Sequence, residues 1–397
     1  MNEENLEWGW KPILIAMRFI GFDLRDPLVS PNNSWFNFYS LLCLVYTAFW
    51  HVFDCVDTTK FFMRVVDSDP PSNISLVVIT NVMVDTYNNA FHSVGIQLTV
   101  HFMARSNWKE MWQVVQRIGR RFDFKFYVHL RIVSSSAVVA VIVIELYLLA
   151  SGIVYTALSP HLTFILHGKL FALILAEIYR ICGSSLFIVC ALSASDVFSQ
   201  LKNEIDEASR YLNPPDASSI LKWKHTHALA CVYVDSINRC FGPILLIDIC
   251  CIFLRMINSV FQVSVGLNVH KSRSSIYHTL YSLELFFQFW IVCIVASRLQ
   301  IKATNIIQTI RKLPTATLET QRLTGTLLIQ VHHSAPSISA YGLVKINHKL
   351  VLKVTKLGCY KEKFLNSILF HMQLIGTTFS YFIIINQFYL LEDPLQQ

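Results

Sequence analysis

The chain has 397 residues, of which 53% are hydrophobic and only 15% charged, against about 25% charged in an ordinary soluble domain. That balance, with a mean hydropathy of +0.45, excludes the usual soluble enzyme and points to a membrane protein. The net charge of +7 raises nucleic acid as a partner, but the placement of the charge, given below, argues against it.

The first apolar stretch, 12–22, is too short to span a bilayer and reads as an interfacial helix within a cytoplasmic N-terminal segment, 1–35. No cleavable signal peptide is visible, because the first strong apolar run begins only near Trp35. Seven longer runs follow at about 36–53, 74–102, 132–155, 170–197, 241–267, 277–297 and 365–391, each close to the ~20 residues that a spanning helix requires. The expected fold is an all-α membrane protein: residues 36–397 form a seven-helix transmembrane unit. Span two is the weakest, interrupted by Asp85, Asn88, Asn89 and His92. The long segments 198–240 and 298–364 carry helical patterns, so they are expected to extend the spans into a helical anchor beside the membrane. The ten cysteines fall mostly inside apolar runs, so no disulfide framework is expected.

Charge sets the orientation. If the N-terminus is inside, the segments 1–35, 103–131, 198–240 and 298–364 hold 26 of the 33 Lys and Arg residues, and the opposite side holds 5. Cytoplasmic loops are the ones enriched in Lys and Arg, so the N-terminus is expected to be cytoplasmic and the C-terminus extracellular. The bilayer, not nucleic acid, is then the partner of the basic charge. The Asn73 sequon falls on the outer side as a glycosylation candidate, while Asn32 falls inside. A G-protein-coupled receptor has the opposite topology, and the Asp-Arg-Tyr and Asn-Pro-x-x-Tyr motifs of that class are missing.

Span seven carries the most specific stretch, Ser380-Tyr381-Phe382-Ile383-Ile384-Ile385-Asn386-Gln387-Phe388. Tyr381, Ile384, Gln387 and Phe388 share one helical stripe. An amide in lipid is costly unless it faces a partner helix or water, so the stripe is either a helix contact or the lining of an aqueous path. The nonapeptide resembles the C-terminal signature of insect gustatory receptors: Thr-Tyr, five hydrophobic residues, then Gln-Phe. Ser339-Ala340-Tyr341-Gly342 with Ile346-Asn347 is similar to the upstream half of that signature, and Asn238-x-x-Phe241-Gly242 is a third similarity. Here Ser380 replaces Thr, Asn386 replaces a hydrophobic residue, and 38 residues separate Gly342 from Tyr381, more than the family pattern has.

The resemblance implies a tetrameric, tastant-gated, non-selective cation channel of the plasma membrane. It would be assembled from copies of one chain or from related subunits, and it would need no cofactor. Tyr381, Ile384, Gln387 and Phe388 become pore-lining positions, with Ile384 or Phe388 at the constriction. Apolar rings that gate by dewetting and amide rings that meet a partly hydrated cation are compatible with that role. An odorant receptor of the same superfamily is the alternative, followed by a transporter. The residue after Tyr381 is Phe382 rather than an acid, which disfavours the main sugar-sensing branch.

Ionisable and amide residues inside the spans are functional candidates by default. Asn88, Arg180, Tyr281, Glu284 and Gln288 lie at similar depth in spans two, four and six and form the expected ligand pocket. Carboxylate and aromatics suit a polyol, although Tyr281 also fits an interfacial belt. Glu177 and Arg180, three apart, read first as a pair with each other. Arg255 is expected to draw on Glu145 or Asp248. His332, His333 and His371 belong to no metal-binding or catalytic motif, so neither a metal nor an enzyme activity is expected.

Overall fold

The computed structural model describes residues 9–15, 34–66, 76–100, 102, 105–119, short stretches between 131 and 143, 163–210, 214–268 and 272–351, with only the backbone described over parts of the helices. The helices are α1 (Ser34–Val66), α2 (Leu76–Thr99), α3 (Arg105–Gly119), α4 (Thr163–Arg210), α5 (Ala217–Asn268), α6 (Ser272–Ile310) and α7 (Leu318–His333). A two-stranded antiparallel ribbon, β1 (Ser339–Ala340) and β2 (Val344–Lys345), follows. The chain divides into a body, Met1–Asn347, and a second unit, His348–Gln397. The body carries everything described below, and the second unit contributes a helical turn at 348–351.

Among the described residues, four stretches are long and apolar enough to cross a membrane: Leu41–Arg64, Cys182–Arg210, Ala217–Arg255 and Phe286–Ile310. They fall on expected spans one, four, five and six. α2 coincides with span two, the most polar of the set. Most of span three lies outside the described residues. So do all of span seven, with Tyr381, Ile384, Gln387 and Phe388, and the Asn73 sequon.

The helices outrun the spans expected from the sequence. α1 continues to Val66 through what reads as an outer loop from residue 54. α4 begins at Thr163 rather than 170. Residues 217–240 of the inner segment, expected to extend the spans, and span five are one helix, α5, of 52 residues. Apolar runs mark where lipid covers a helix, but the backbone ladder continues past them as long as no residue breaks it. At 1.5 Å per residue, α4 and α5 run about 72 and 78 Å, more than twice the ~30 Å hydrocarbon core. Both are longer than a single crossing needs. α7 packs against α5 and α6.

The breaks have local causes. Pro214 and Pro215 follow α4, where a missing N–H and a fixed φ disfavour continuation. Asp216 then caps α5. Hydrogen bonds from the Ser218 hydroxyl (2.5 Å) and the Ser219 amide (3.1 Å) hold its carboxyl below the ordinary carboxylate range. Thr317 caps α7 in a reciprocal box with Thr320, both bonds at 3.1 Å.

The core lies where α4, α5 and α6 meet, around Phe187, Tyr233 and Leu299. Phe187 meets Phe241 edge-on at 5.9 Å, and the Tyr233 hydroxyl bonds the Ser193 hydroxyl at 2.6 Å. By contrast α1 exposes Leu42, Val45, Phe49 and Val52, an apolar face suited to lipid.

Helix α3 lies in a segment read from sequence only as a basic inner loop. Its stripe of Trp108, Met111, Trp112, Val115 and Ile118 is buried. Trp10 sits on it, 5.7 Å from Trp108 and 5.8 Å from Trp112, and Ser134 Oγ donates to Gly9 O at 2.8 Å. Residues 9–15 are helical and overlap only the start of the expected interfacial stretch 12–22, with Trp10 and Ile13 buried in protein, while 16–22 lie outside the described residues. α3 also repairs α5. Pro243 stands inside α5 and, lacking an N–H, leaves the carbonyl four residues back unbonded by the helix. That carbonyl, Arg239 O, accepts from Asn107 Nδ2 at 3.2 Å.

Candidate functional site

Four helices bring polar side chains to one buried junction. α2 contributes Asn88 and His92, one turn apart on a single face. α5 contributes Asp248, α4 contributes Ser184 and α6 contributes Gln288. His92 Nε2 meets Asp248 Oδ1 at 2.8 Å, and Ser184 Oγ donates to Asp248 Oδ2 at 3.0 Å. Gln288 Nε2 donates to Ser184 Oγ at 3.1 Å, and Asn88 Nδ2 donates to Cys251 O at 3.2 Å. His92, Asp248, Ser184 and Asn88 are all buried. A carboxylate only accepts hydrogen bonds, so with Asp248 ionised His92 carries its proton on Nε2.

A buried carboxylate stripped of water is tolerated only when paired and hydrogen-bonded. Here each oxygen has its own donor. Among the described residues the buried Asn88 Oδ1 has no hydrogen-bond partner. A donor on a small molecule would find an acceptor there, with Asp248 one helix away. Among the described residues no cluster of His, Cys, Asp and Glu has the makeup of a metal site.

The expected pocket residues divide into two groups. Asn88 and Gln288 belong to the junction. Arg180, Tyr281 and Glu284 lie on α4 and α6, but their side chains fall outside the described residues. In the helix backbone, position 180 is one turn before Ser184. Positions 284 and 281 are one and two turns before Gln288 in the same way. Asp248, expected as a partner for Arg255, instead serves His92 and Ser184. The reason is register: Arg255 is two turns further along α5, while α2 and α4 reach Asp248 directly. His92, which reads in the sequence only as an interruption of span two, was the missed member. Its spacing of four from Asn88 was the available signal. His332 and His333 are exposed, with their rings 5.5 Å apart.

A second arrangement joins two of the sequence motifs. Asn238 Nδ2 donates to Ser337 O at 2.9 Å and Asn238 Oδ1 accepts from Ser339 N at 3.0 Å. The side-chain amide thereby mimics a strand partner for the chain entering β1. Next to it, a Cβ on Gly242 would lie 3.0 Å from Tyr341 N and 3.4 Å from Tyr341 Cα, so the ribbon lies against α5 where a side chain would stand. The ribbon turns at Tyr341 (φ 51°) and Gly342 (φ 73°), closed by Leu343 N to Ala340 O at 3.0 Å, with both central residues left-handed as a tight hairpin requires. Asn238, Gly242 and the Ser339–Gly342 stretch thus form one latch.

The comparisons with known proteins agree with a sensory membrane protein. Residues 11–355 match the family model described as 7tm chemosensory receptor. A search of curated proteins found no match. In fold the chain is similar to the insect olfactory receptor OR5 from Machilis hrabei in complex with eugenol, with a TM-score of 0.66 at 11% identity, over 91% of this chain and 97% of that one. It is also similar to a second structure of OR5, with a TM-score of 0.61 at 11% identity, over 89% and 96% of the two chains. With the family model matched from residue 11 to residue 355, this chain belongs to the 7tm chemosensory receptor family.

Proposed function

We propose that this chain is a subunit of a tastant-gated, non-selective cation channel in the plasma membrane. It assembles as a tetramer with copies of itself or with related subunits, with the N-terminus cytoplasmic. The observation that carries the ligand-binding half of the reading is the four-helix junction, where Asn88 Oδ1 is a buried acceptor beside the Asp248 network. Arg180, Tyr281 and Glu284 complete the pocket from the same helix faces. The pore half rests on the resemblance of the span-seven stripe. Four copies of Tyr381, Ile384, Gln387 and Phe388 line the conduit, with Ile384 or Phe388 keeping the closed state dry.

The odorant class is the second reading, favoured by the fold similarity to a receptor whose structure holds eugenol. Calcium imaging of cells expressing the chain alone and together with a related second subunit, against sugars, plant bitter compounds and volatile phenols, separates the two. Sugars or bitter compounds activate a taste receptor. Responses confined to volatile phenols, and only with a second subunit present, favour the odorant class. In the same cells Gln387→Lys should abolish cation current at normal surface level. Loss of surface expression in that variant would mean a helix contact with a buried unpaired charge, and the pore assignment would fall.

A further inference from the structure

Outside the four-helix junction, the body has a groove of about 630 Å³ between α1 and α2. Its walls are mainly apolar, with Val52 and Val56 on one side and Ala90 and Val94 on the other, and the Thr59 and Tyr87 hydroxyls that also line it are taken up by each other at 2.8 Å. Its ends are not. Lys60 and Arg64 stand at one end, and among the described residues neither makes an ion pair. The acids of α1, Asp54 and Asp57, do not line it. At the other end is His51, 6% exposed, whose Nε2 has no hydrogen-bond partner among the described residues. Cations at a membrane edge are ordinary, but a purely lipid-facing groove has no use for a buried imidazole whose Nε2 has no partner among the described residues.

We infer that this groove is a binding site for a long-chain carboxylic acid whose tail carries a hydroxyl. The acid's carboxylate sits between Lys60 and Arg64, and its tail hydroxyl bonds His51. Length supports the assignment. Positions 60 to 64 lie about 14–20 Å along α1 from position 51, the extended length of roughly twelve to sixteen carbons at the ~1.2 Å per bond of an extended chain. Depth supports it as well. Lys60 and Arg64 lie in the last turns of the Leu41–Arg64 stretch that is long and apolar enough to cross a membrane, where a long cationic side chain reaches the headgroups. In the orientation proposed above this is the outer face, so the acid enters from outside. The site is separate from the Asp248 junction and does not rest on the channel reading, because occupancy is measured by binding.

The test uses the full-length receptor in nanodiscs of neutral phosphatidylcholine and a photoactivatable ω-hydroxy hexadecanoic acid. Its methyl ester and the plain acid serve as comparison probes, and crosslinks are mapped by mass spectrometry. The hydroxy acid should label peptides around 51–64 and 87–94 about tenfold more than either comparison probe, as expected when a charge-assisted or buried hydrogen bond is lost. Lys60→Gln with Arg64→Gln should remove the preference for acid over ester, and His51→Phe the preference for the hydroxyl. Val52→Trp fills the groove without touching either end and should abolish labelling, while gel filtration reports whether each variant is folded. Equal labelling by acid and ester, equal labelling with and without the hydroxyl, labelling spread over all lipid-facing helices, or displacement by an equal fraction of anionic phospholipid would each overturn the assignment.

Discussion

His92 and Asp248 show how a residue pair in lipid is judged by what remains when one member goes. Interhelical hydrogen bonds within membranes contribute only about 0.6 kcal/mol on average, so the pair need not be a large source of stability. Breaking it is another matter, because an unpaired buried charge costs about 3–5 kcal/mol, whereas an apolar replacement of both partners is often neutral. His92→Phe should therefore lower the melting temperature of the detergent-solubilised receptor sharply, and His92→Phe with Asp248→Leu should recover most of the loss. If the junction also binds ligand, the recovered double variant folds but needs far more agonist. Two single variants whose losses simply add would show that no coupled pair exists. Asn88 adds a further acceptor to the same cluster, and its exposed neighbours on α2, such as Phe91, do not.

At the scale of elements, the long helices and the latch divide the work. Helices α4 and α5 carry the junction at Ser184 and Asp248, and away from it α5 and α6 pack with α7. Pro243 would interrupt α5 between the two regions were Arg239 O not taken up by Asn107 from α3. The latch stands at the same level, with Asn238 and Gly242 on the turns of α5 flanking that carbonyl. Gly242→Val should cost about 1–3 kcal/mol through overpacking, because the atoms in its way are backbone and cannot swing aside. Asn238→Ala leaves two backbone groups unpartnered at a similar cost. Because both disturb one contact, the double variant should lose less than the sum. Limited proteolysis around 334–347, alongside thermal unfolding, measures this. Wild-type resistance in Gly242→Val would mean that the ribbon does not depend on this docking.

For the whole molecule the strongest expectation is orientation. The 26-to-5 division of Lys and Arg puts the helical extensions beyond the bilayer, including the latch and the basic end of α6, in the cytoplasm. A tag after Gln397 should then be stained on intact cells, and one before Met1 only after permeabilisation. The reverse pattern would move the α1–α2 groove to the inner face and remove the outside route for its ligand.

Much of this protein was legible in its sequence. Composition and the length of apolar runs identified a membrane protein, and the positions of spans one, two, four, five and six match the helices because both depend on local chain chemistry. Asn88 and Gln288 stood out in the sequence because an amide in an apolar run is conspicuous by itself, and both hydrogen-bond within the four-helix junction. The tertiary structure decided the pairings. Nothing local to His92 indicates that its partner is Asp248, 156 residues away, or that Asp248 faces α2 and α4 rather than Arg255. Nor could periodicity show that Asn107 replaces the bond lost at Pro243, or that Gly242 is small because a hairpin a hundred residues later rests on it. Hydrophobic pattern reports what each backbone segment does with its own surface. Which polar atoms meet is settled only when the helices pack.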